Sequence, residues 1–508
     1  MSDLIISKEN FTFKDFILPF KKAVKVQLSS DAEESINQSF KQLQSLLESG
    51  ISVYGVTTGF GKLSHVKINP SDQRILQLNL VRSHAAGVGE PADKRIIRIM
   101  MILKLLTFVK GYSGVRMAVV KQIIEFLNQD IIPVIPGKGS VGASGDLAQL
   151  AHMGLALLGE GEVFYKGKQT ESNLIMKSLG MVSLQLEPKE GISLINGTQY
   201  STALAIAVLI HSQNLLQCAD IIGALSVESS LSSRNVFDPK IHSLKAHPGQ
   251  RNSAQNVWNI LSDSEIVVSH NDCEKIQDSY SFRCIPHVHG ACRDMINNVS
   301  NCVNNEINSV SDNPLIFSEN EIHSSGHFHG EHIAQAMDSV GIAISEIGAI
   351  SQKRIHYFMK GIEDKIPPFL SLNPGLESGY MLAQVTAAAL TSENKTLAHP
   401  ASVDSVTTSA GQEDFVSMAP WAGQKALQIA ENTAIILAIE LMISATAAQK
   451  FLNEFQPSTV SKKIFQEVNT FLKYEKGDRR LDKEIQELKS LIVSGKLTEV
   501  VKSRIELI

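Results

Sequence analysis

Apolar residues along this chain recur at helical spacing far more often than they alternate. Between Val115 and Leu127, the residues Val119, Val120, Ile123, Ile124 and Leu127 fall three and four positions apart on one face, the pattern of a helix with one buried side. Ile96 to Val109 is apolar nearly all round, which predicts a helix covered on every side. Longer helical patterns run from Thr198 to about Leu231, from Ile333 to Met359 and from Ala422 to Leu452. Each exceeds the mean helix of about 11 residues, so the expectation is a bundle of long helices buried on several faces. Strand signals are sparse. Glu162 to Tyr165, followed by Lys166-Gly167-Lys168, predicts a small hairpin. From about Pro457 onward, Lys and Glu mix with spaced Leu, Ile and Val, which reads as a solvated C-terminal helical region.

Composition narrows the function classes. The chain has 508 residues, a formal charge of -5 and 19% charged residues, so nothing points to a nucleic-acid surface. Five cysteines (Cys218, Cys273, Cys284, Cys292 and Cys302) include no C-x-x-C pair and read as free thiols of a reducing compartment. The N-terminal MSDLIISKENFTF carries no basic-then-apolar signal. No unbroken apolar run reaches the roughly 18 residues of a membrane span, and Thr433 to Ala448 is interrupted by Glu440. A soluble cytoplasmic protein, with no membrane partner, is expected.

Candidate chemistry sits in loops between the helices, where rigid scaffolds usually present it. Gly139 to Gly154 reads GSVGASGDLAQLAHMG. Taken alone it is a helix start with Ser144 or Asp146 as cap, which leaves the glycines on both sides of Ala-Ser unexplained. Tyr54 to Gly61 reads YGVTTGFG, Leu194 to Gln199 reads LINGTQ, and Tyr280 to Arg283 reads YSFR. Individually these are a packed tyrosine in a tight turn, a helix-entry asparagine and an ordinary ion-pair arginine. A metal site is a rival reading, because His323, His327, His329 and His332 crowd one segment, with His287 and His289 upstream. No H-E-x-x-H motif and no Cys or carboxylate at a zinc-like interval accompanies them, so no metal is expected.

Together these segments resemble the histidine and phenylalanine ammonia-lyase family over about residues 50 to 450. In that family the Ala-Ser-Gly tripeptide cyclises with loss of two waters to 4-methylidene-imidazol-5-one (MIO). The resemblance implies an autocatalytic MIO from Ala143, Ser144 and Gly145, with no external cofactor. The amide nitrogen of Gly145 would attack the Ala143 carbonyl, and glycines at 142 and 145 permit the backbone angles of such a turn. Loss of the Ser144 hydroxyl leaves an electrophilic methylene, which no ordinary side chain offers. By the same resemblance Tyr54 is the base, its pKa lowered by positive charge. Asn196 and Tyr280 stand beside the MIO, Gln277 lies one turn before Tyr280, and Arg283 clamps the substrate carboxylate. Phe328, in GHFHGE, is an aromatic contributor. The chain departs from the pattern at Gln149, where the family has Pro, and at His287 and His289 in IPHVHG.

Two positions address the substrate ring. His84, in Ser83-His84, stands where phenylalanine-specific members resemble Phe-Leu. Glu413, in SAGQEDFVSMA, matches histidine lyases, whereas aromatic lyases have Gln there. An imidazole offers an N–H to a carboxylate and a phenyl ring offers none, so a buried Glu413 against phenyl would be uncompensated. Gly411 and Phe415 depart from the histidine-lyase pattern of Asn and His, and Phe415 removes a polar partner. The implied function is a carbon–nitrogen lyase converting L-histidine to trans-urocanate and ammonia in histidine catabolism. A tyrosine or phenylalanine ammonia-lyase, or an aminomutase with the same MIO, is the alternative. A non-catalytic scaffold of the same descent would have lost the catalytic set that is present here.

The resemblance further implies a mainly α fold: a long-helix central bundle of the aromatic amino acid lyase (fumarase/aspartase-like) type, with a smaller N-terminal part bearing the MIO loop. The expected division is 1–195, 196–456 and 457–508, in a homotetramer with shared active sites.

Overall fold

A computed structural model describes residues 3–270, 275–473 and 477–508. Cys273 lies outside them. The other four cysteines are free thiols.

The fold is mainly helical, as the periodicity predicts. The expected helices form as Lys94–Val109, Met117–Asn128, Gln199–Ser229, Glu331–Met359 and Ala419–Phe451. In Lys94–Val109 every residue from Ile96 onward is buried, as a helix apolar all round requires. Glu162–Tyr165 and Lys168–Glu171 pair antiparallel through the expected turn, with Ile132–Pro133 on the other side. The C-terminal region forms Thr459–Val468, Asp482–Val493 and Lys496–Lys502. Each buries aliphatic positions, Ile464, Leu488 and Leu497 among them, and turns most of its Lys and Glu outward, while Glu484 is buried and paired with Arg479.

One expectation needs correction. Gln199–Ser229, Glu331–Met359 and Ala419–Phe451 are long and apolar enough to cross a membrane. Scattered polar residues interrupt each without lowering its overall apolarity, so none contains an unbroken apolar run of that length. Their most apolar windows are 72%, 72% and 78% buried within the fold, so they are core helices by burial.

The chain divides into two compact units. The first comprises residues 1–207, 300–338 and 400–424, and the second 208–299, 339–399 and 425–508. In the first unit, helices Gln73–His84, Leu147–Leu158 and Glu190–Ile195 pack on one another. Buried Gln77 ties this cluster to the Tyr54 loop: its Nε2 donates to the Gly55 carbonyl at 2.8 Å, and its Oε1 accepts from the Ile192 N–H at 3.0 Å. In the second unit a buried Arg354–Glu440 pair at 2.5 Å is completed by Ser226 and Ser351, which also donate to Glu440.

Candidate active site

Three ends of that helix cluster deliver the site. His84 closes the first helix, the Ala143-Ser144-Gly145 loop precedes the second, and Asn196 follows the third. Gly142, Ala143, Gly145 and Asp146 are buried, and only Ser144 between them is partly open. Gly145 adopts φ +79°, and a Cβ there would stand 2.1 Å from the Gly197 carbonyl oxygen. The two segments run side by side as a parallel bridge, with Asp146 N–H donating to Gly197 O at 2.8 Å and Gly197 N–H to Ser144 O at 3.5 Å. Gly142, at φ +69°, is equally confined: a Cβ would meet Ser417 Oγ at 2.1 Å. Ser417 itself donates to the Gly142 carbonyl at 3.0 Å.

Asp146 occupies the N-cap position of helix Leu147–Leu158 but makes no side-chain cap. Its carboxylate instead accepts from Ser201 N–H at 2.8 Å and Ser201 Oγ–H at 2.6 Å. Burial pushes this carboxyl up to about 6 against those hydrogen bonds. Gln149 lies in the first turn of the helix, buried, with Nε2 at 3.4 Å from the Pro136 carbonyl.

Ser144 Oγ–H donates to Glu413 Oε1 at 2.8 Å. Thr408 and Ser409 donate to Oε2 at 2.8 and 2.6 Å. Burial raises the Glu413 pKa, but these three hydroxyls, helped by His84, outweigh it and hold the carboxyl below its ordinary value. Ser409 and Ala410 reach their positions with φ of +51° and +54° before Gly411 at +82°, strain of about 1–3 kcal/mol per non-glycine residue. Phe415 is 60% exposed and stacks on His329 with ring centroids 6.3 Å apart. The polar partners of Glu413 therefore come from Thr408 and Ser409, and the departure at Phe415 leaves them intact.

His84 Nδ1–H donates to the Leu80 carbonyl at 2.8 Å, which leaves Nε2 as an acceptor. Burial lowers its pKa, with Leu80 and Glu413 opposing. Phe60 stands between His84 and Tyr54, with centroids at 5.3 and 5.5 Å respectively. Tyr54 Oη accepts from Gly61 N–H at 2.9 Å. Its pKa is raised, not lowered as expected: burial dominates, Gly61 offsets it in part, and the Glu413 charge adds to the rise. Asn196 is buried. Its Nδ2 donates to the Asn313 carbonyl at 3.0 Å, while its Oδ1 has no partner. Phe328 lies half-buried in the loop after Glu321–His323.

The structure thus brings Tyr54, His84, Ser144 and Glu413 into one electrostatic neighbourhood within the first unit. Gln277, Tyr280 and Arg283 belong to the second unit. There Gln277 and Arg283 line a cavity of about 390 Å³ with Ser233, Asn235, His270 and Lys275. The Arg283 guanidinium lies 4.5 Å from the Tyr280 ring centroid, and its buried Nε has no partner. His289 is buried against Asp220 at 2.9 Å, while His287 is exposed. No group of three or more His, Cys, Asp or Glu positioned to hold a metal occurs among the described residues. Sequence reasoning did not single out Lys104, Thr408 or Ser409. The only signal for Lys104 was a charge inside a largely apolar helix that also buries Arg98.

The helical architecture and this loop-borne cluster define a lyase of the aromatic amino acid type. The family profile described as aromatic amino acid lyase matches residues 11–470, and the chain belongs to that family. It is 46% identical to the histidine ammonia-lyase of Vibrio cholerae over 447 residues, 88% of each chain. Its fold matches the crystal structure of histidine ammonia-lyase from Trypanosoma cruzi with a TM-score of 0.91 at 33% identity, covering 99% of this chain and 96% of that one. It also matches tyrosine aminomutase from Streptomyces globisporus with a TM-score of 0.93 at 30% identity, covering 100% of both.

Proposed function

We infer that this chain is a histidine ammonia-lyase that converts L-histidine to trans-urocanate and ammonia. The observation that carries the substrate is Glu413, an anionic acceptor hydrogen-bonded to Ser144 itself. An imidazole N–H satisfies it and a phenyl ring does not. Relatives that are themselves named histidine ammonia-lyases support the same substrate.

The residues fit an MIO formed from Ala143, Ser144 and Gly145. Neither Gly142 nor Gly145 has room for a Cβ, Ser144 is the open side chain, and Asn196 Oδ1 is a buried acceptor in want of a donor. When formed, the MIO would supply an electrophilic carbon, the chemistry that turns an amine into a leaving group. Tyr54 removes the β-proton. The C–H electron pair becomes the new double bond as the C–N bond breaks. His84 and Glu413 hold the imidazole. Arg283, whose Nε lacks a partner, takes the role of clamp for the substrate carboxylate, Tyr280 a catalytic role, and Gln277 and Phe328 that of substrate-binding residues. The protein works in the cytoplasm as a homotetramer with active sites shared between subunits, and burial of its three long apolar helices supports a soluble enzyme.

The test is to supply purified protein separately with L-histidine, L-tyrosine and L-phenylalanine, following ammonia and the near-UV absorbance of the unsaturated acid. Ammonia and urocanate from histidine are expected. Product from tyrosine alone, or a β-amino acid without ammonia, would overturn the reading in favour of a tyrosine lyase or an aminomutase.

A further inference from the structure

Lys104 sits in the middle of helix Lys94–Val109 with no exposure at all. An ammonium so placed costs several kcal/mol to desolvate. Its Nζ donates to the Asn196 carbonyl at 2.6 Å and to Gln199 Oε1 at 3.3 Å. Neither is a carboxylate. The charged groups facing it are Asp312, Lys189 and Asp146. Asp312 is engaged by Lys189 at 3.3 Å, and Asp146 by Ser201. The charge therefore bears most closely on one peptide group, Asn196–Gly197. The N–H of that same peptide donates to the Ser144 carbonyl.

We propose that Lys104 is a positioning residue for the reaction: acting through the Asn196–Gly197 peptide, it polarises the N–H that donates to the Ser144 carbonyl oxygen. The inference rests on the reading of Ala143-Ser144-Gly145 given above. A cation on an amide oxygen draws electron density from the amide nitrogen, so its N–H becomes a stronger donor. Hydrogen bonds in such chains strengthen one another by about 10–30% each. In the cyclised tripeptide the Ser144 carbonyl is conjugated with the former Ser144 Cβ. A stronger donor at that oxygen makes that carbon more electrophilic. Burial brings Lys104 down to about 7, with Lys189 assisting and Asp312 and Asp146 opposing, so the charge titrates near neutrality.

The test uses the full-length wild type, Lys104→Gln and Lys104→Arg. The mass of the proteolytic peptide carrying Ser144 first reports whether two waters are lost. In dehydrated protein, the near-UV band of the ring is followed across pH about 7, and kcat and KM are measured. The wild-type band is expected to shift as pH crosses that value, and the bands of both variants to stay still. In Lys104→Gln, kcat falls about tenfold with KM changed less than about threefold, a fraction of the 10²–10³-fold lost when such a donor is deleted outright. Lys104→Arg, which keeps the charge, stays within about threefold of wild type. A Lys104→Gln variant that is dehydrated and has wild-type kcat overturns the proposal. If that variant fails to fold or dehydrate, Lys104→Arg decides: loss of the band shift supports the proposal, and a persistent shift assigns it to Asp146 and overturns it. A wild type that retains both waters overturns this inference and the MIO reading together, whereas a dehydrated wild type beside unaltered variants overturns this inference alone.

Discussion

Glu413→Gln changes one atom and one charge at the residue proposed to read the substrate ring. A carboxylate offers about four acceptor positions, and Ser144, Thr408 and Ser409 occupy three of them. On the proposed ring formation, loss of the Ser144 hydroxyl would free Oε1 for the imidazole N–H. In the amide, Thr408 and Ser409 still donate toward the Oε2 position, so the amide oxygen settles there and its NH₂ group faces the substrate. A donor then meets a donor. A hydrogen bond to a charged acceptor is worth about 1.5–3 kcal/mol, so kcat/KM for histidine should fall roughly 10- to 150-fold. Tyrosine, whose hydroxyl both donates and accepts, should change less than about threefold on the same scale. Steady-state kinetics on both amino acids measures the two ratios. A variant that lost activity equally on both, or on neither, would remove Glu413 from ring recognition.

Ser144→Ala should abolish turnover and leave the tripeptide undehydrated by peptide mass, with an unchanged far-UV spectrum, since its one side-chain bond is to half-buried Glu413. Tyr54→Phe should lower kcat by about 10²–10⁴-fold, the usual worth of a general base. Because burial holds Tyr54 above the ordinary tyrosine value, its phenolate grows with pH, so kcat/KM should climb through the alkaline range in Lys104→Arg, whose charge does not titrate there; a flat profile in that variant would exclude Tyr54 as the base. Gly145→Ala forces φ +79° on a residue with a Cβ and drives it into Gly197 O. The left-handed angle costs about 1–2 kcal/mol and a broken Asp146–Gly197 bond about 1 more. Calorimetry should show a lower melting temperature, and the peptide should keep both waters.

Periodicity was a reliable guide where one residue type repeats along one element. The Lys94–Val109 helix, the Val119–Leu127 face and the Glu162–Glu171 hairpin form at the expected places because each is decided locally. Contacts between distant segments carry no local signal. Ser144 and Glu413 are 269 positions apart, and nothing in either stretch requires the other. Local rules also mislead where a residue has a better distant partner. Asp146 has the right type and place for a helix cap, yet Ser201 offers it two donors at once, and the cap is left unmade. The Tyr54 environment failed for a related reason. The chemistry predicts a cation, while the charge that acts on Tyr54 is the Glu413 carboxylate.

The two carboxylates nearest Ser144 show how one loop separates scaffold from chemistry. Asp146 is fully buried, and burial raises it to about 6. Glu413 is half-open, and its hydroxyl partners bring it below its ordinary value. Environments that push two like groups apart commonly mark different tasks. The Asp146 oxygens both accept from Ser201, holding Gly145 beside Gly197. Its folded pKa lies above its unfolded one, so the native state favours the protonated form and loses that advantage as pH rises through about 6. At neutral pH the charged form is retained against burial because it alone accepts from both Ser201 donors. Glu413 has the reverse sign: its contribution is present above the ordinary glutamate value and is lost only as pH falls through its lower folded pKa. It is therefore the carboxylate that remains anionic throughout the range in which Tyr54, the proposed base, ionises, and the one proposed to offer an oxygen to the substrate.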